Sequence, residues 1–210
     1  MRVKGQKYRT IWQKENDKEI IQIIDQRLLP HEFLVIDLLT FSDVIEAIQD
    51  MAVRGAPLIG GTAAWGVYLA AVQAKKNGLG IPFILDACKE LVLARPTATN
   101  LKWSIDRILK AIESLDNLDE ILNKVEKEAV DICNEDVKNC ENIGKHGLEL
   151  IHKIAENKSD NTVNILTHCN AGWLATIDRG TATAPMYAAR DAGINIHVWV
   201  DETRPRNQGA

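Results

Sequence analysis

The sequence predicts an α/β protein in two parts: a small N-terminal β-sheet joined to a helical body, then the opening of a parallel, doubly wound sheet. Three observations predict it. Short β-branched runs separated by turn residues fill positions 8–39. From Ser42 the apolar period becomes helical and stays so to about residue 156. After a polar break, a strand, a loop, a helix and a second strand follow in that order.

The elements are read in order. Thr10–Trp12, Ile20–Ile24 and Phe33–Ile36 are β-branched or aromatic runs, with Asn16, Asp17 and Pro30 at the bends. Ser42 is a candidate N-cap, and Val44, Ile45, Ile48, Met51 and Ala52 form an apolar stripe behind it. Further helices are expected near 57–76, 82–94, 101–115 and 118–156. The stretch 56–74 lacks charges, but it is built from Ala, Gly and Thr and contains Pro57 and Gln73. Such residues favour close helix packing over membrane insertion, so a buried core helix is expected. The long helix pairs an apolar stripe with a Lys/Glu/Asp face, the division of an amphipathic surface helix. Residues 156–161 are polar, and the domain boundary is placed there, giving domains 1–157 and 162–210. Strands at 162–166 and 194–200 flank a helix at 181–192. A parallel sheet needs more strands and two covered faces, so 162–210 is expected to be an incomplete domain.

The bulk properties narrow the function. The 210 residues are 46% hydrophobic and 26% charged, with a net charge of −4 and both signs interspersed. A nucleic-acid surface has no compositional support. Four cysteines stand at 88, 133, 140 and 169 without a CxxC pair, which argues against structural zinc or a disulfide framework. The polar N-terminal stretch carries no secretory signal. A cytoplasmic protein without membrane or nucleic-acid partners is expected.

Cys169 is the leading candidate for chemistry. It follows a β-branched strand, where parallel sheets present side chains to ligands, and Asn170 and Gly172 give it a polar setting. The alternative is an inert cysteine packed as a small hydrophobe. His168 should point to the opposite face while the strand persists, so no Cys–His dyad is read. Arg54, Gly55 and Ala56 precede Pro57 at a helix start, where backbone N–H groups and a guanidinium suit an oxyanion; the local motif alone favours the alternative, a tight interhelical turn with a surface Arg. Arg95 sits at a second interhelical corner, open to solvent or to a ligand. The N–H groups of Gly180 and Thr181 are a further potential phosphate contact. The turn 172–180 lacks the glycine fingerprint of a dinucleotide fold, which argues against a nicotinamide cofactor. Trp65, Trp103 and Trp173 either line an apolar pocket or pack in cores.

Five stretches, Ile23–Phe33, Val53–Pro57, Ala94–Thr97, Leu166–Gly172 and Asp201–Ala210, occur in an order that resembles the S-methyl-5-thioribose-1-phosphate isomerases of methionine salvage, within the initiation-factor 2B alpha/beta/delta-like superfamily. The resemblance implies a small-sheet-plus-helix domain followed by a Rossmann-like domain, in a homodimer. It implies conversion of S-methyl-5-thio-α-D-ribose 1-phosphate to the ribulose 1-phosphate, with no cofactor and no metal. Position by position, Arg54, Gly55, Ala56, Arg95 and Gln208 resemble the substrate-binding set, and Cys169 the catalytic cysteine. The family's catalytic aspartate and a later Asn-Lys pair would lie beyond Ala210, so the chain is expected to be C-terminally truncated and impaired in turnover. The same fold serves a ribose 1,5-bisphosphate isomerase and regulatory subunits related to initiation factor 2B, which would bind a sugar phosphate or nucleotide without turnover.

Overall fold

A computed structural model describes residues 1–160 and 162–203. The chain divides into two compact units, Arg9–Asn134 and Met1–Tyr8 with Glu135–Ala210. The mixed α/β composition expected from the pattern is present, built on small sheets.

In the larger unit, strands β3 (Ile11–Lys14), β4 (Asp17–Asp25) and β5 (Leu34–Leu38) form an antiparallel sheet in the order β3-β4-β5. The central strand carries Ile21, Ile23 and Ile24, all fully buried. Helices α1 (Phe41–Gln49), α2 (Ala56–Asn77), α3 (Gly80–Ala94) and α4 (Thr99–Ile112) follow, then α5 (Leu118–Glu156). Helix α1 starts two residues earlier than an N-cap at Ser42 suggests. Thr40 is its N-cap, and Asp43 returns a bond to the Thr40 backbone to close a capping box. Helix α2 is buried from Leu58 to Val72 and packs against α1, α3 and α4, as its small uncharged residues predict. Among the described residues no helix is long and apolar enough to cross a membrane.

In the smaller unit, β1 (Arg2–Val3) and β2 (Gln6–Lys7) form a tight hairpin whose turn residues Lys4 and Gly5 both have positive φ. Residues 135–156 of α5 belong to this unit, so the contacts divide inside the helix. Strands β6 (Thr162–Thr167) and β7 (Asn195–Val200) pair in parallel, with α6 (Ala184–Asp191) between them in sequence. Ile151 and Ala155 of α5, Val163 of β6 and Ala189 of α6 make the core, with Ile165 and Ile196 packed against it. The opposite face of the sheet exposes Leu166 and Trp199. Helix α6 begins at Ala184, three residues later than the sequence suggests, because residues 176–183 form a compact turn.

Candidate functional site

The smaller unit places Cys169 just past the carboxyl end of β6, two residues after the last ladder residue, Thr167. Cys169 is exposed, whereas Cys88, Cys133 and Cys140 are buried, so the inert-core reading fits those three and not Cys169. Its φ of 68° is left-handed, a conformation that costs a non-glycine residue on the order of 1 kcal/mol and that collects at functional sites. It opens onto a cavity of about 620 Å³ bounded by Thr167, the loop 169–174, Thr183, Met186, Tyr187 and Arg190, and the inward residues of β7. The walls are mainly apolar. Arg190 brings the one cation of the lining among the described residues, stacked 5.7 Å from the Tyr187 ring and bonded to Asp191 at 2.8 Å.

Two N–H donors in this wall, Asn170 Nδ2 and Trp173 Nε1, are buried with no hydrogen-bond partner among the described residues. Buried unpaired donors cost ~1–3 kcal/mol each and are rare where packing is the only task. Trp173 thus belongs to the cavity. Trp65 is instead core, edge-on to Tyr68, and Trp103 is half exposed with the Arg107 guanidinium 5.7 Å from its ring.

His168, just past the end of β6, is engaged with Asp201. Its Nδ1 lies 3.2 Å from Asp201 Oδ2, and the Asp201 N–H donates to the Thr167 carbonyl, so the ends of β6 and β7 are joined there. The expectation that Gly180 and Thr181 offer free N–H groups to a phosphate is overturned. The Gly180 N–H donates to Thr176 Oγ at 3.0 Å and the Thr181 N–H to the Ala171 carbonyl at 3.0 Å.

Three of the anion-site candidates cluster at the start of α2 in the larger unit. Gly55 is the N-cap with φ 97°, Ala56 is the first helical residue, Pro57 lies in the first turn, and no side chain caps the end. Arg54 is not a surface residue; it is 7% exposed. Its Nε and a terminal nitrogen donate to the Gln26 side-chain and backbone oxygens at 3.4 and 3.3 Å. Gln26 was not singled out in the sequence, although it stands beside Asp25 and Arg27 in the Ile23–Phe33 stretch; nothing in its spacing to Arg54 signals the contact. Arg95 ends α3, is half-buried, and its guanidinium has no partner among the described residues. The 95–100 corner flanks the same end of α2, since a Cβ on Gly60 would sit 3.0 Å from the Asn100 carbonyl oxygen. A partly buried, unpaired guanidinium beside an uncapped helix start suits an anion. Gln208 lies outside the described residues. Among those described, no group of three or more His, Cys, Asp or Glu is arranged to hold a metal ion.

Residues 52–210 match the description of the Initiation factor 2 subunit family. The chain is 52% identical over all 210 residues to a methylthioribose-1-phosphate isomerase from Desulfatibacillum aliphaticivorans, covering 57% of that protein. It is similar to the crystal structure of 5-methylthioribose 1-phosphate isomerase from Pyrococcus horikoshii OT3, with TM-score 0.83 and 38% identity over 97% of this chain and 55% of that one. It is also similar to the delta subunit of translation initiation factor eIF-2B from A. fulgidus, with TM-score 0.79 and 34% identity over 97% of this chain and 57% of that one. The chain spans a little over half the length of the curated relatives it matches.

Proposed function

The chain belongs to the Initiation factor 2 subunit family, and from this premise we propose that it carries the sugar-phosphate site of a methylthioribose-1-phosphate isomerase of methionine salvage. Arg54, Gly55, Ala56, Arg95 and Gln208 are the substrate-binding residues of this reading, and Cys169 is its catalytic cysteine. The protein works in the cytoplasm as a homodimer, with no cofactor. The reading rests above all on Cys169, the exposed thiol held in a left-handed conformation at the mouth of the cavity.

The chemistry explains why such a group is needed. Phosphate on the anomeric carbon blocks simple ring opening. The isomerisation must break the ring, move a hydrogen from C2 to C1 and leave a ketone at C2. Each step transfers a proton at an atom that water handles slowly. A positioned acid–base side chain contributes ~10²–10⁴-fold, and a thiol can serve either as donor or, once ionised, as acceptor. The apolar cavity walls keep water from competing for those protons. Phosphate binding at the Arg54 and Arg95 corners supplies affinity, using a helix start and guanidinium groups that match oxyanion geometry.

Calorimetry with methylthioribose 1-phosphate, together with a ketose assay, tests the proposal. Binding should be lost in Arg95→Met, and ketose formation in Cys169→Ser. No binding by the parent chain would overturn the sugar-phosphate site. The likeness to the eIF-2B delta subunit supports a second reading, a regulatory binder. Stable association with an initiation factor would favour it.

A further inference from the structure

We propose that Gly180 is a positioning residue for Cys169, an inference that rests on Cys169 being the reacting group. The left-handed backbone of Cys169 persists only if its surroundings hold it there. The hold is two residues further on, at the Ala171 carbonyl. That oxygen accepts from the Thr181 N–H at 3.0 Å, the Thr181 hydroxyl at 3.4 Å and the Thr183 hydroxyl at 3.3 Å. All three donors come from the turn that ends just before α6.

That turn can reach Ala171 because residue 180 has no side chain. A Cβ there would lie 2.6 Å from the Gly172 carbonyl carbon and 2.9 Å from the Ala171 oxygen, both backbone atoms that cannot swing aside. The φ of Gly180, 79°, is also left-handed. The far side of the turn is tied down independently. Thr176 Oγ, fully buried, accepts the Gly180 N–H and donates to the Asp178 or Trp173 carbonyl, each at 3.1 Å; the Ile177 N–H donates to Asp136 Oδ2 of α5 at 2.8 Å. The Cys169 loop is therefore seated on a second loop that is itself anchored to a long helix. A single methyl group at position 180 drives the two loops apart.

The test uses the chain labelled with ¹³C-cysteine, whose Cα and Cβ resonances report backbone conformation at four sites at once. In Gly180→Ala the Cys169 resonances should leave the left-handed range, while those of buried Cys88 and Cys133 stay in place as controls for the fold. Affinity for methylthioribose 1-phosphate should fall by about tenfold or more. Should Gly180→Ala unfold, with all four cysteines moving together, Thr183→Val is the deciding variant: it keeps the branched shape and removes one bond to Ala171. It should shift Cys169 alone, and Thr183→Ser should restore it. An unmoved Cys169 in a folded variant overturns the proposal. A parent chain that binds no sugar phosphate instead overturns the functional reading, and the resonances of Cys169 still decide the positioning role.

Discussion

The Arg54 corner and the Cys169 loop solve the same problem, holding a polar residue still, in opposite ways. Arg54 is sunk into the larger unit, bonded to Gln26, and the strained backbone beside it falls on a glycine. It stands at the entrance to α2, the most thoroughly buried helix of the chain. Cys169 is exposed, carries the left-handed strain itself, and is held by another loop. Under the proposed function, rigidity drawn from a core suits the anion-binding group and a loop held by a loop suits the group that meets a changing sugar.

The sharpest way to break this contrast is to remove core support from one region and side-chain bulk from the other. Leu58→Ala, one turn into α2 and fully buried, should cost ~2–5 kcal/mol by urea denaturation, as large-to-small core changes do. Cys169→Ala should stay within about 0.5 kcal/mol of the parent, as exposed substitutions usually do. Equal losses in the two variants would erase the distinction.

A smaller effect is expected at Gln26. Gln26→Leu removes the side-chain oxygen that accepts from buried Arg54, and losing a partner of a buried donor costs ~1–3 kcal/mol. The loss should appear in denaturation and also as weaker sugar-phosphate binding. A stability loss with unchanged binding would separate Arg54 from the anion site.

The smallest effects come from buried Asp25 and partly buried Asp136, whose pKa shifts have opposite sign. At Asp25 burial raises the pKa, but the Arg27 side-chain and backbone bonds and the Arg27 charge outweigh it, and the carboxyl is held below its usual 3.8. Its stabilisation is present above that value and is lost as pH falls through the depressed pKa. Asp25→Asn should therefore be less stable than the parent at pH 7, and the gap should close in acid. At Asp136 burial raises the pKa, only partly offset by the Ile177 N–H. There the folded protein disfavours the ionised form, and the cost is present above the raised pKa and relieved as pH falls through it. Asp136→Asn, whose amide oxygen can still accept from Ile177, should be more stable than the parent at pH 7, with the advantage disappearing in acid. Thermal melts from pH 3 to pH 7 read both signs.

Much of the fold was legible because its signals are local. The apolar stripe of α5 runs without a proline from Leu118 to Glu156, and those are the helix's bounds. The run Thr162–Leu166 is β-branched enough to mark β6 to within one residue. The β1–β2 hairpin was missed because its strands are two residues long and polar, which leaves no period to detect. The start of α6 was misread because Gly180 resembles a helix entrance, while its N–H and its missing side chain serve contacts with Thr176 and Ala171. The position of Cys169 at a strand end was readable from the strand pattern. Its left-handed backbone and the burial of Arg54 were not, since each depends on partners distant in sequence.

Alkylation of the native chain with iodoacetamide, followed by mass spectrometry, addresses Cys169 most directly. Cys88, Cys133 and Cys140 are only 1–3% exposed, so a single adduct should form at Cys169, and methylthioribose 1-phosphate should suppress it. An adduct that forms equally fast with the sugar phosphate present, or that falls on the buried cysteines instead, would contradict a ligand-facing Cys169.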